Sequence, residues 1–204
     1  PLPTNAPTCS EHSQSINLDP RGTALNVDAV LLIDLPLPWP KPVFIHPDLK
    51  GLESLMHTSM GATRVLTCQP RSNKKNFTVT VFYKENITFE RWVFELENVN
   101  SLMELVENLI FSKPQNISSG KQVTDKKEAV LLCTQGSHYI CCGSKGTRLA
   151  NQIEGQDNNF DLFKVSHLGG HRFSPTVMTM PDGRMWADLD LKTLSSIIEK
   201  DIEI

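Results

Sequence analysis

The side chains with the clearest chemical potential are two cysteines and two histidines in the second half of the chain. Cys133 ends a predicted buried strand, and Cys142 stands just before a predicted helix. His167 and His171 flank two glycines in a turn that follows another predicted strand. Because ligands of open α/β sheets collect beyond the carboxyl ends of the strands, we expect these four side chains to converge on one site.

Two thiolates and two imidazoles suit either a tetrahedral zinc ion or an iron-sulfur cluster. Structural zinc sites usually draw a cysteine pair from a tight turn with about two to four intervening residues. Eight residues separate Cys133 from Cys142, and a loop of that width can wrap a two-iron cluster. A zinc protease helix would need Glu after the first histidine, where this chain has Leu168. The spacing therefore favours the cluster, and a zinc-stabilised interaction module stays an alternative.

The cysteine pattern bears on compartment and on a further alternative. The chain has five cysteines, an odd number, and Cys141 and Cys142 are adjacent, so a full disulfide framework is not favoured. We expect a reducing, cytoplasmic environment. Neighbouring residues of an extended chain point in opposite directions, so one of the adjacent pair would bind metal and the other would pack. A thiol-based oxidoreductase is the alternative, although Cys-x-x-Cys is absent.

Composition and charge exclude several other classes of protein. The 204 residues are 39% hydrophobic, enough to bury one large core or two small ones. The formal net charge is -3 and the cations are dispersed, which predicts neither a nucleic-acid nor a membrane partner. No apolar run approaches the roughly 20 residues that span a bilayer. The sequence leaves the oligomeric state open.

The first half of the chain predicts one domain after an irregular arm at residues 1–24. Apolar periodicity over residues 25–113 predicts a strand, a helix, three strands and a helix. These elements are expected at residues 27–35, 48–60, 63–68, 77–83, 88–95 and 101–112. A polar linker follows.

The second half, residues 127–204, repeats this order. Its elements are expected at residues 128–132, 143–153, 160–165, 176–180, 184–187 and 191–202. Strands joined through a helix, followed by a hairpin and a last helix, are typical of a thioredoxin-like fold. We therefore predict an α/β protein with a mixed sheet, made of two thioredoxin-like halves in tandem. One continuous α/β domain is the alternative.

Several segments resemble the sucrase/ferredoxin-like family of thioredoxin-like ferredoxins. The most specific is Ser-His-Leu-Gly-Gly-His-Arg-Phe at 166–173, and the others are 132–134, Gly136, 141–143 and 181–186. The resemblance is fainter in the first half. It implies a [2Fe-2S] cluster in the C-terminal domain, with Cys133, Cys142, His167 and His171 as ligands. It also implies an electron carrier, rather than an enzyme, that serves a redox partner protein.

The chain departs from the family pattern beside the first cysteine. The family commonly has His where this chain has Gln135, and two basic residues and Asp where it has 137–139. Histidine ligation implies a higher reduction potential than that of an all-cysteine plant-type ferredoxin. It also implies a potential that depends on pH. The "sucrase" in the family name has no support, because the sequence shows no recognisable paired-carboxylate site.

Overall fold

The structure is a computed structural model that describes residues 6–56, 63–71, 77–124, 127–137 and 140–200. Within these residues the protein is a mixed α/β protein with nine strands and five α-helices. The chain divides into two compact units. The first unit comprises the described residues of 26–126 and 180–183. The second unit comprises those of 1–25, 127–179 and 184–204.

Helix α1, Cys9–Ser15, lies in the segment that we expected to be irregular and belongs to the second unit. Thr8 begins it with a capping box, in which the hydroxyl of Thr8 accepts the Glu11 N–H and the Glu11 carboxylate accepts the Thr8 N–H. The N–H and the hydroxyl of Thr8 both donate to the Glu11 carboxylate, and these hydrogen bonds lower the pKa of Glu11. The Thr-x-x-Glu pattern therefore marks the start of a helix in a segment predicted to be irregular.

The first unit is built on a five-stranded arrangement ordered β5-β4-β3-β1-β2. Strands β1 and β2 are parallel, whereas β3 runs antiparallel to both β1 and β4, so the predicted mixed sheet is confirmed. Its elements are β1 Ala29–Asp34, α2 Leu52–Met56, β2 Thr63–Cys68, β3 Phe77–Glu85, β4 Thr88–Leu96, α3 Val99–Phe111 and β5 Lys121–Val123.

Strand β1 is an aliphatic run with its first five residues buried, as expected for a strand covered on both faces. Helix α2 is shorter than the predicted helix at 48–60, whose start is a 3-10 turn at Pro47–Leu49. Residues 57–60 of that prediction lie outside the described residues. The predicted linker after α3 contains β5, which pairs with β4.

The second unit orders its strands β7-β6-β8-β9. Strands β6 and β7 are parallel, and β8 and β9 form an antiparallel hairpin. Its remaining elements are β6 Ala129–Cys133, α4 Thr147–Glu154, β7 Asp161–Val165, β8 Val177–Met180, β9 Met185–Trp186 and α5 Leu191–Glu199. A π-helical turn, Cys142–Gly146, leads directly into α4.

The core of the second unit holds the strands that carry the candidate site. Val130 and Leu132 of β6 are fully buried and pack with Leu149 and Ile153 of α4. Burying an aliphatic side chain of this size contributes about 1.5–3 kcal/mol. The end of β6 is thus held firmly by its own core. None of the helices in the described part of the chain has the length and apolar character needed to span a bilayer.

We expect Thr8→Ala to lower the free energy of unfolding by about 1 kcal/mol, because it removes the side-chain cap of α1. Urea unfolding of the full chain measures this. Ser15→Ala is the control, since the Ser15 hydroxyl is exposed and bonds only the His12 carbonyl of its own helix among the contacts seen. Its effect should stay within about 0.5 kcal/mol. Equal losses in the two variants would contradict the cap.

Candidate metal centre

Three of the four predicted ligands converge in the second unit. One ligand atom each of Cys133, Cys142 and His167 lies within 4.8 Å of the other two. Both cysteine side chains are fully buried, at 0% exposure, and His167 is half-buried. The prediction that these residues meet beyond the strand ends therefore holds for three of them.

The parallel pairing of β6 and β7 places Cys133 and His167 together. Cys133 is in register with Val165, so the two strands end at the same edge. The pairing continues for one residue, because the Thr134 N–H donates to the Val165 carbonyl at 3.0 Å. His167 follows Val165 by two residues and thus emerges beside Cys133.

Glycines allow the turn that carries Cys142 to approach the end of β6. A Cβ atom built on Gly143 would lie 2.5 Å from the Cα of Gly136, which follows Cys133 in the loop. A Cβ on Gly146 would collide with the backbone carbonyl of Cys133. Both glycines are therefore required by close backbone packing, and this packing brings Cys142 back to Cys133.

The sulfur of Cys133 accepts several hydrogen bonds. The Cys142 thiol and the His167 side chain donate to it, and so do the backbone N–H groups of Leu168 and Gln135. Although burial alone would raise it, these donors hold the pKa of Cys133 well below its usual value. The pKa of Cys142 is raised, because Cys142 donates its proton to Cys133 and is buried beside that negative charge. Of the two cysteines, Cys133 is therefore the more acidic, and Cys142 is the one that keeps its proton and donates it.

His171 lies beside this group but is not one of the three residues whose ligand atoms converge. Its ring centroid is 6.0 Å from that of His167, and the two planes are inclined by 45°. Gly169 and Gly170 have φ angles of 118° and 63°, in the region that favours glycine, and they turn the chain between the histidines. The motif thus brings both histidines to one edge of the unit, and only His167 belongs to the converging group.

The remaining cysteines do not join the group. Cys141 is 1% exposed, and its sulfur accepts hydrogen bonds from the N–H groups of Ser10 and Cys9 and the hydroxyls of Ser10 and Thr8. Burial raises the pKa of Cys141, but these hydrogen bonds outweigh it and the pKa is lowered. Cys141 therefore faces the start of α1. None of the five cysteines forms a disulfide.

Cys68 belongs to the first unit and has a different environment. Its thiol donates to the Asp34 carboxylate at 3.0 Å, at the ends of β2 and β1. Burial and the neighbouring carboxylate raise the pKa of Cys68 well above its usual value. Cys68 is thus a buried thiol whose surroundings disfavour the thiolate.

Gln135 is a residue of the site whose role the sequence did not indicate, because Gln135 stood out only as a departure from a family pattern. Its side chain is 2% exposed, and its Oε1 accepts the backbone N–H of His167 at 2.8 Å. Its Nε2 donates to the Ser137 hydroxyl at 3.2 Å. In the sequence, the only local indication of this role is that a polar residue stands two positions after Cys133. His138 and Tyr139 of the same loop lie outside the described residues.

Fold and site together define an α/β protein with a buried cysteine and histidine centre at the end of a parallel strand pair. The chain belongs to the sucrase/ferredoxin-like family, because a model of that family matches residues 20–203. The comparison with curated proteins gave no match, and neither did the comparison with solved structures. The resemblance inferred from the sequence motifs is thereby confirmed.

We expect Gly146→Ala to lower the free energy of unfolding by about 1–3 kcal/mol, because its Cβ forces the π-helical turn away from Cys133. Urea unfolding of the metal-free, reduced protein measures the loss. Gly155→Ala is the matched control, since its Cβ would lie 3.7 Å from the nearest carbonyl oxygens, an ordinary contact. Similar unfolding curves for the two variants would contradict the close packing of the turn on β6.

Proposed function

We propose that this protein is an electron carrier that holds a [2Fe-2S] cluster through Cys133, Cys142, His167 and His171. The observation that carries the proposal is the convergence of two buried sulfurs and one imidazole nitrogen within 4.8 Å. Cysteine sulfur and imidazole are the donors used by Rieske-type clusters. The donor set therefore fits the group that the family description, with its reference to ferredoxins, suggests.

The charge state of the cysteines supports a metal-binding role. Thiolates, and not thiols, bind metals, and four hydrogen bonds to its sulfur lower the pKa of Cys133 and so favour its thiolate form. Two of these donors are backbone N–H groups, and hydrogen bonds to cluster sulfurs tune reduction potentials. The site is thus prepared for a positively charged metal before one binds.

The second histidine of the motif supports a centre with four donors. The ring centroids of His167 and His171 lie 6.0 Å apart, close enough for both imidazoles to serve one centre, although His171 is not one of the three residues whose ligand atoms converge. Two cysteines and two histidines would together hold a two-iron cluster, with the cysteines binding one iron and the histidines the other. The eight residues between the cysteines give the loop the width for this arrangement.

A zinc-stabilised interaction module is the second candidate function, and the compact group itself favours it. Two cysteines and two histidines are a donor set of structural zinc sites, and His171 would supply the fourth ligand that such a closed site needs. The thiol-based oxidoreductase has less support, because Cys133 and Cys142 are fully buried and present no sulfur to a protein disulfide.

The cysteine side and the histidine side of the centre would have different roles in an electron carrier. When bound, a [2Fe-2S] cluster supplies reversible one-electron transfer. The buried cysteines exclude water from one side, whereas the half-buried histidines lie nearer the surface, beside the exposed Arg172. We propose that a redox partner protein approaches from this histidine side. Arg172 stacks over Phe173 at 5.3 Å and so is held at that surface.

We also propose that each unit is a thioredoxin-like half. The orders β2-β1-β3-β4 and β7-β6-β8-β9 are equivalent, and each has a parallel first pair and an antiparallel last pair. The first unit has Asp34 where the second has Cys133, at the end of its first strand. The cluster would therefore belong to the second half alone.

Protein purified without air should absorb visible light and contain about two iron and two sulfide per chain. We expect Cys133→Ser and Cys142→Ser to abolish the colour, because each removes a thiolate ligand, and His167→Ala and His171→Ala to bleach or shift it. The exposed Cys9→Ser and His12→Ala are matched controls and should leave the spectrum unchanged. One zinc per chain without sulfide would establish the zinc module in place of the cluster.

Cobalt binding to the metal-free protein should release about one proton from the cysteine pair, because the lowered pKa of Cys133 and the raised pKa of Cys142 leave the proton on Cys142, which must lose it to bind. A higher pH removes this competing proton, so the affinity should rise about tenfold per pH unit between roughly pH 6 and 8. Titrations followed by thiolate-to-cobalt absorption measure the slope. In Cys142→Ser this increase of cobalt affinity with pH should disappear. A release of two protons from the wild-type pair would contradict the lowered pKa of Cys133.

A further inference from the structure

We infer that Gln135 is a positioning residue whose side-chain amide fixes His167 at the metal centre and joins the loops that supply its ligands. The inference rests on the proposed function, since it assigns a role toward the same centre. Gln135 is neither a ligand nor exposed. The observations that support the inference are the two hydrogen bonds of its side chain and its burial.

The first hydrogen bond joins two loops that are far apart in the sequence. Gln135 Oε1 accepts the backbone N–H of His167 at 2.8 Å, across a separation of 32 residues. The bond holds the backbone at the residue that carries the imidazole. The next residue, Leu168, donates its own N–H to the sulfur of Cys133. One amide oxygen therefore anchors a segment that delivers two separate groups to the centre.

The second hydrogen bond holds the loop between the cysteines. Gln135 Nε2 donates to the Ser137 hydroxyl at 3.2 Å, and the intervening Gly136 packs against Gly143 in the turn that begins with Cys142. The backbone N–H of Gln135 meanwhile donates to Cys133. Gln135 thus contacts the loop of each of the three converging ligands, directly or through its neighbour.

The burial of Gln135 makes these contacts energetically important. At 2% exposure Gln135 has little access to water, so a lost partner would leave a buried polar group without the hydrogen bond that replaces its hydration. The carboxamide therefore keeps its two partners, and its planar geometry fixes their relative positions. A residue that only filled space would need no such pair of partners.

The experiment compares Gln135→Met, which keeps the length but removes the amide, with Gln135→Glu, which keeps an acceptor for the His167 N–H. Two properties of the metal-free full chain are measured: the Co²⁺ affinity and the hydrogen-exchange rate of the His167 amide. We expect Gln135→Met to weaken Co²⁺ binding about 10–100-fold. His167 exchange should become about 5–30 times faster.

Gln135→Glu should restore slow exchange at His167, which a purely space-filling role would not predict. Ser137→Ala is the control, because it removes the contact on the other side of the amide and leaves the His167 bond intact. Its His167 exchange should match that of the wild type. Thermal unfolding of each variant separates a general loss of stability from a local change at His167.

Three outcomes would overturn the inference. In the first, the His167 amide of the wild type exchanges as fast as in an unfolded chain. In the second, Gln135→Met has the exchange rate and the Co²⁺ affinity of the wild type. In the third, the His167 amide of Gln135→Glu is not protected from exchange. If Gln135→Met does not fold, the exchange rates of the His167 amide in the wild type and in Gln135→Glu decide the question. Absence of iron, sulfide and Co²⁺ binding in the wild type would instead refute the proposed function, because the exchange rates need no metal.

Discussion

The structure of the centre depends on the stabilisation of one buried sulfur. A thiolate away from water is costly unless hydrogen bonds replace its hydration, and Cys133 has four donors directed at it. The backbone donors from Gln135 and Leu168 cannot rotate away, since the ends of β6 and β7 fix them. The parallel register of these strands, held by the apolar core beneath, is therefore what makes the negative charge tolerable.

Much of this architecture could be predicted because it follows from local apolar patterns. The buried runs of β1 and β6 identified strands, and the rule that ligands gather beyond strand ends brought Cys133 toward His167. Other features have no local pattern. Strand β5 has three residues, two of them exposed, and shows no apolar alternation. The bond from Gln135 to His167 spans 32 residues and depends on a register that only the folded sheet defines.

The His-Leu-Gly-Gly-His motif shows where a sequence pattern stops being informative. It predicted a turn with both imidazoles at one edge, and the φ angles of Gly169 and Gly170 form that turn. It could not predict the 6.0 Å between the ring centroids, because side-chain positions depend on the packing around each ring. The two sides of the centre also differ in exposure, because the cysteines are fully buried and the histidines are half-buried.

The contact between α1 and Cys141 gives the amino-terminal helix a protective role. Thr8, Cys9 and Ser10 contact the sulfur of Cys141, the residue that precedes Cys142 in the sequence. Helix α1 also packs on the turn that contains His171. Oxidation of a thiol requires that an oxidant reach it. A proteolytic cut that released this helix would uncover the sulfur of Cys141, so access of an oxidant to the residue beside Cys142 depends on a segment that is remote in sequence.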